Sequence, residues 1–188
     1  MIDKENLKVI IGIILVFLVF LSSIIFRSGK SKENLQFEDT KSETRFITCF
    51  SPDGECEDMV SNILNEADKE IVCAMYIFSS RNLANTLARK SRDNISVKVL
   101  LDGDMASSNQ GILSILRKGG VDIVLEKNPF GSMHNKYIVV DSSRVITGSF
   151  DWVYNADRKN YENIIIIESI EIANKYRNDF QLIWDEFI

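Results

Sequence analysis

Apolar residues in the second part of the chain alternate between two kinds of pattern. Short, nearly continuous apolar runs predict buried strands at 45–50, 71–78, 97–101, 121–126, 136–141, 144–147 and 162–169. Apolar positions that recur every three or four residues predict helices at 56–70, 81–92, 111–120 and 172–188. Because strands alternate with helices, the pattern predicts an α/β sandwich around a mixed, mostly parallel sheet.

The first part of the chain has a different pattern. Residues 7–26 are almost entirely apolar, and no charge occurs between Val9 and Phe26. As a helix this uncharged run is about 27 Å long, close to the roughly 30 Å hydrocarbon core of a bilayer. We therefore expect residues 1–26 to be a single-pass transmembrane anchor, with a cleaved signal peptide or a buried core helix as the alternatives. Similar numbers of Lys and Arg flank the run, so the side of the membrane that the domain occupies stays open.

A polar segment follows the apolar one. Residues 27–44 lack a regular apolar period and are expected to tether the membrane anchor to a folded domain at 45–188. With 188 residues and 45% hydrophobic residues, the chain is long enough for one such domain with its own core. Its net charge of −5 excludes a general basic coat, so a polyanion would have to bind at a local patch.

The numbers and positions of the cysteines and of the histidine limit which disulfides and metal sites the chain can form. The cysteines are too few for a disulfide framework, although Cys49 and Cys56 could pair if the domain lies outside the cytoplasm. Cys73 lies in an apolar run and is expected to be a buried thiol. His134 is the only histidine of the chain, which excludes a metal site that needs two histidines from one subunit.

The residues best suited to catalysis occur between 134 and 163. His134 and Lys136 are two positions apart, so their side chains point to the same face of an extended strand. Further polar residues are predicted at the ends of neighbouring strands, where sites in α/β proteins usually form: Ser149, Asn160, Glu162 and Asn163.

These residue types suit chemistry at phosphorus. A metal-free imidazole can attack phosphorus, while Lys136 neutralises the phosphate oxygens and Ser149 donates a hydrogen bond to them. A carboxylate such as Glu162 can orient an imidazole. Because His134 is the only histidine, a second imidazole that protonates the leaving group would have to come from a second chain.

The spacing of these residues resembles a known signature. His134-x-Lys136-x4-Asp141, then six residues, then Gly148-Ser149 is the H-x-K-x4-D-x6-G-S pattern of the phospholipase D superfamily. The chain is most similar to small members with one such motif, namely Nuc-type bacterial endonucleases and mitochondrial cardiolipin hydrolases. The segments 50–54, 74–79 and 159–163 also resemble the opening and closing motifs of those domains.

The resemblance implies a phospholipase D-like fold and a homodimer in which two motifs meet at one site. It implies a phosphohistidine intermediate without a metal or another cofactor, with one His134 as nucleophile and the other as general acid. By match, Lys136 and Ser149 bind phosphate and Glu162 orients a histidine. The remaining matched residues are expected to support the site: Asp141, Asn160 and Asn163.

One position departs from the family pattern. Asp151 stands two residues after the motif serine, where the family usually has asparagine, and a carboxylate aimed at a phosphate would repel it. We expect a membrane-anchored phosphodiesterase, foremost a DNA or RNA endonuclease. The alternative is a phospholipase D that acts on membrane phospholipids of the cardiolipin or phosphatidylcholine type. A weakly active, tethered binding dimer also stays open because of Asp151.

Overall fold

The computed structural model describes residues 44–52 and 55–188, and seven strands occur among these residues. The strands are β1 (Arg45–Ser51), β2 (Glu70–Met75), β3 (Ser96–Asp102), β4 (Asp122–Glu126), β5 (Lys136–Val140), β6 (Arg144–Gly148) and β7 (Glu162–Glu168). They form one sheet in the order β1-β7-β6-β5-β2-β3-β4. Every strand that the apolar runs predict is present, with small differences at its ends.

Helices cover both faces of this sheet. They are α1 (Cys56–Asn65), α2 (Arg81–Arg92), α3 (Gly103–Ser107), α4 (Gln110–Lys118), α5 (Tyr154–Arg158) and α6 (Ile170–Phe187). One apolar core lies between the sheet and α1, α2 and α4, and a second core lies between the opposite face and α6. The predicted α-β-α sandwich is therefore confirmed.

The prediction that the sheet is mostly parallel is wrong. Only β2 with β3 and β3 with β4 pair in parallel, whereas the other four neighbouring pairs are antiparallel. For β5 and β6 the cause is their connection, a three-residue turn over 141–143 in which Asp141 and Ser142 have φ angles of 52° and 50°. So tight a turn can join only antiparallel strands. The alternation of strands and helices thus holds for β2 to β4 and not for the strands that carry the predicted site.

The helices differ from the predicted ones mainly at their ends. The first ends at Asn65 rather than at residue 70. Ser80 caps α2 by accepting a hydrogen bond from the Leu83 N–H at 3.2 Å. The five-residue helices α3 and α5 were not predicted, because they are too short to show a 3.6-residue period.

The predicted anchor at 1–26 lies outside the described residues, as does all but the last residue of the predicted tether at 27–44. Among the residues that the structure does describe, no helix combines the length and the apolarity that crossing a membrane requires.

The antiparallel pairing decides where the polar strand ends meet. Since β5 runs opposite to β2 and β6, its first residue lies beside the last residues of both. In the same way, the start of β7 lies beside the end of β6 and the end of β1. One end of the sheet therefore collects the starts of β5 and β7 and the end of β6, the positions that carry the predicted site residues.

Candidate active site

His134 and Lys136 lie together at the start of β5, as their spacing predicts. The Lys136 Nζ atom is 3.5 Å from His134 Nδ1 and donates a hydrogen bond to the His134 carbonyl oxygen at 3.4 Å. His134 is exposed, whereas only 10% of the Lys136 side chain is exposed. An open cleft of about 410 Å³ lies beside the pair and extends to Thr147 and Gly148. The imidazole is thus accessible to a substrate next to a fixed positive charge.

Tyr76 also contacts this pair, and the sequence did not single it out. Its ring centroid is 4.2 Å from that of His134, and Lys136 Nζ lies 5.0 Å from the Tyr76 ring centroid. The aromatic face therefore restricts the imidazole and attracts the ammonium group. The available signal was its place within the segment 74–79 that resembles the family. The predicted strand 71–78 included Tyr76, whereas β2 ends one residue before it, at Met75.

Ser149 and Glu162 form a second group at the same end of the sheet. The Ser149 hydroxyl donates a hydrogen bond to Glu162 Oε2, and Asn160 Nδ2 donates one to Glu162 Oε1 at 3.0 Å. Asn163 donates to Ser149 Oγ from its backbone N–H at 3.2 Å and from Nδ2 at 3.4 Å. The sequence-predicted residues are thus joined in one network. Within the described chain, Glu162 accepts from Ser149 and Asn160 rather than from His134.

Gly148 allows this second group to form. Its φ is +156°, and a Cβ atom there would lie 2.1 Å from the Asn163 carbonyl oxygen. Residues with a side chain rarely adopt this conformation, and such a contact is sterically forbidden. The close approach of β6 to β7 is therefore possible only with glycine, and it brings the Ser149 hydroxyl to Glu162.

Asp141 lies away from these groups, at the other end of β5. Its carboxylate accepts hydrogen bonds from the backbone N–H groups of Asp68, Lys69 and Glu70 at 2.8–3.0 Å. Partial burial raises the pKa of Asp141, but the three backbone donors and nearby Arg144 outweigh burial and hold the pKa below its ordinary value. The carboxylate thus fastens the segment before β2 to the hairpin that carries the site.

We expect Asp141→Asn to lower the free energy of unfolding at pH 7 by about 2 kcal/mol, since it weakens three charge-assisted hydrogen bonds. Because the folded-state pKa is lowered, the stabilisation is present above the ordinary carboxyl pKa and is lost as the pH falls through the folded-state value. Urea unfolding of both proteins at pH 7 and in acid measures it. A difference that stays constant into acid would contradict the assignment. Asp122→Asn, on another strand, is the control.

Asp151 does not lie free beside the cleft. Its Oδ1 atom accepts a hydrogen bond from the Ile77 N–H at 3.0 Å, and Oδ2 lies 3.4 Å from Lys136 Nζ. The side chains of Lys136 and Asp151 are only 10% and 19% exposed. The carboxylate that the sequence suggested would repel phosphate is therefore paired with the lysine expected to bind phosphate.

The cysteines are divided between two roles. Cys49 and Cys56 form a disulfide that joins β1 to α1, so the pairing left open by the sequence occurs. Cys73 is buried as expected, and burial raises the pKa of its thiol. In the described part of the chain, no group of three or more His, Cys, Asp or Glu residues is placed to hold a metal ion.

Comparisons with known proteins agree with this architecture. Residues 60–184 match the family model described as "Cardiolipin synthase, PLD-like domain". A phospholipase D of Rickettsia conorii is 33% identical over 135 residues, which cover 72% of this chain and 67% of that protein. A mitochondrial cardiolipin hydrolase of Xenopus laevis is 32% identical over 121 residues, 64% of this chain and 57% of that protein.

Solved structures show the same fold. The phospholipase D family member Nuc from Salmonella typhimurium superimposes with a TM-score of 0.73 at 23% identity, over 78% of this chain and 97% of that one. NucT from Helicobacter pylori gives a TM-score of 0.68 at 20% identity, over 78% and 99% of the two chains. These similarities agree with the sequence signature that begins at His134. The chain belongs to the phospholipase D superfamily.

Proposed function

We propose that this chain is a phosphodiesterase that cleaves DNA or RNA through a phosphohistidine intermediate at a site shared by two subunits. The observation that carries the proposal is the exposed His134 imidazole held beside the ammonium group of Lys136. An exposed imidazole next to a fixed cation suits nucleophilic attack on a phosphodiester, since the cation offsets the negative charge of the oxygens.

The reaction proceeds in two displacements. An imidazole nitrogen of one His134 attacks phosphorus, the bond from phosphorus to the leaving oxygen breaks, and the partner subunit's His134 gives its proton to that oxygen. The partner subunit's His134 then takes a proton from water, whose oxygen attacks phosphorus and breaks the P–N bond. Lys136 balances charge on the non-bridging oxygens in both steps. Ser149 reaches the same oxygens when its hydroxyl turns from Glu162.

An uncovered part of the sheet supports the shared site. Helix α6 packs against β2, β4, β5 and β6. On β1, beyond that helix, Phe46 and Phe50 are 67% and 65% exposed. Phe50 pairs in register with Asn163 of the second polar group, so this apolar surface adjoins the site. A second copy that covers it would bring a second His134 to the reaction and bury apolar area.

A mixed dimer tests the shared site. When wild-type chains are co-expressed with an equal amount of His134→Ala chains, we expect about one quarter of the activity per total dimer, since only dimers with two intact histidines turn over. Independent subunits would retain about one half. Lys127→Met chains, altered in the exposed segment between β4 and β5, are mixed in the same way as the control and should leave the activity unchanged. Retention of one half would contradict the shared site.

Phospholipid is the second candidate substrate. Two of the similar proteins described above are a phospholipase D and a mitochondrial cardiolipin hydrolase. The apolar residues 7–26, which we propose anchor the chain in a membrane, would hold the site near lipid headgroups. The Cys49–Cys56 disulfide supports a position of the domain on an oxidising side of that membrane.

The full-length chain in detergent micelles, assayed in excess EDTA, separates these substrates. Labelled single-stranded DNA and RNA are offered beside mixed micelles that contain cardiolipin and phosphatidylcholine, with His134→Asn as the control. Cleavage of nucleic acid alone supports the nuclease, and release of lipid headgroups alone replaces it with the lipase. If neither substrate is turned over and both proteins bind them equally, the chain is a binding dimer and the proposal fails.

A further inference from the structure

The contacts of Asp151 have a consequence for phosphate binding. Its two carboxylate oxygens have different partners: Oδ1 accepts from the Ile77 N–H at 3.0 Å, and Oδ2 lies 3.4 Å from Lys136 Nζ. The first contact fastens the chain just after β2 to the chain just after β6. An asparagine would make that contact equally well through its own Oδ1 atom. The negative charge is therefore not needed for that hydrogen bond, and its ion-pair partner is Lys136.

The pair is shielded from water. The Lys136 and Asp151 side chains are 10% and 19% exposed, so their attraction is screened less than that of a surface ion pair. The Lys136 ammonium has three donors, and its position is also fixed by the Tyr76 ring and the His134 carbonyl oxygen. While the carboxylate is paired with it, less of the lysine's charge acts on an incoming anion.

We propose that Asp151 is a positioning residue that acts through Lys136: a phosphate must compete with its carboxylate for the ammonium group, which weakens binding of the phosphate group and speeds release of the product. This inference rests on the proposed function for its substrate, although the competition itself concerns any phosphate dianion or diester at Lys136. A site with an uncharged residue at 151 would bind phosphate more tightly and lose its product more slowly.

Asp151→Asn separates charge from structure, because it keeps an acceptor for Ile77 and removes the negative charge. With inorganic phosphate as the probe, titrated into the full-length protein and followed by calorimetry, we expect this variant to bind about tenfold more tightly than wild type. With bis(p-nitrophenyl) phosphate as substrate, KM should fall by a similar factor, and kcat should not rise. The melting temperature should fall somewhat, because the shielded Lys136 ammonium group loses its counter-ion.

Two further variants show whether the gain in phosphate affinity comes from the charge of Asp151 acting through Lys136. Asp157→Asn is the matched control, since Asp157 also accepts a backbone hydrogen bond at the same end of the sheet, from the Glu57 N–H at 3.2 Å, yet it does not contact Lys136. It should leave phosphate affinity unchanged. In a Lys136→Met background, Asp151→Asn should bring no gain, because the carboxylate then has no ammonium group to compete for.

Equal phosphate affinity in wild type and Asp151→Asn, or weaker binding in the variant, would overturn the inference. So would a tenfold gain that persists in the Lys136→Met background. Phosphate affinity is measured without turnover, so this outcome is independent of catalysis. Failure of the proposed function gives a different result, namely hydrolysis that is absent in all variants or unaffected by His134→Ala.

Discussion

His134→Ala is expected to lower kcat for phosphodiester hydrolysis by about 10⁴-fold or more. The substitution removes the nucleophile from one half of the shared site and the general acid from the other half, and groups of this kind each contribute several orders of magnitude. Because His134 is exposed, its loss should leave the fold intact. Single-turnover and steady-state rates on the substrate that the wild-type chain cleaves measure the effect.

Two controls show that the loss is chemical. The melting temperatures of wild type and His134→Ala should agree, and Asp122→Asn, an exposed position on β4 outside the cleft, should retain activity. Wild type that has been mixed with ³²P-labelled substrate and denatured with detergent at alkaline pH should carry label in an acid-labile linkage, and His134→Ala should not. A variant that keeps more than a few per cent of wild-type kcat would show that the nucleophile lies elsewhere.

Lys136→Met is expected to have the second largest effect, a fall of about 10³-fold in kcat/KM. Methionine keeps an unbranched apolar stem in a position that is only 10% exposed, but it removes the charge that offsets the phosphate oxygens. Rates over a range of substrate concentrations give the effect. Lys127→Met, in the exposed segment between β4 and β5, is the charge-matched control and should change kcat/KM less than about twofold.

The same substitution also leaves the Asp151 carboxylate without its cation. A comparison with the double variant Lys136→Met/Asp151→Asn therefore separates lost catalysis from lost stability. We expect the double variant to recover melting temperature and not to recover kcat/KM. Recovery of activity in the double variant would mean that the lysine serves only to neutralise Asp151.

The sequence predicted where strands occur better than how they pair. Each strand corresponds to a short apolar run in the sequence, such as 71–78 or 162–169, because one or both faces of the strand are buried. Strand direction depends on the connections, and the turn at Asp141 and Ser142 reverses the chain with two residues in the left-handed conformation. The two residues between the predicted strands 136–141 and 144–147, Ser142 and Ser143, predicted a hairpin there, which is confirmed. The directions of the other strands had no such local signal.

For the candidate site, too, the sequence predicted some contacts and not others. The proximity of His134 and Lys136 followed from their spacing on one strand, and the group around Glu162 from the family resemblance. The contact of Tyr76 with His134 and that of Asp151 with Lys136 were not predicted, since each joins segments at the ends of different strands, which lie far apart in the sequence. Local periodicity has no information about which strands become neighbours. It also could not decide whether Cys49 and Cys56 pair, because that depends on how α1 packs against β1.

The absence of a side chain at Gly148 limits how this site can change. The space that a Cβ atom would need is filled by the Asn163 carbonyl oxygen, so any substitution must push β6 and β7 apart. The Ser149 hydroxyl moves with one strand and the Glu162 carboxylate with the other. A substitution at Gly148 should lower stability and activity together, because the separation of β6 from β7 disturbs both the sheet and the hydrogen bond between Ser149 and Glu162. The positions of the Ser149 hydroxyl and the Glu162 carboxylate therefore depend on each other through Gly148, a residue without a functional group.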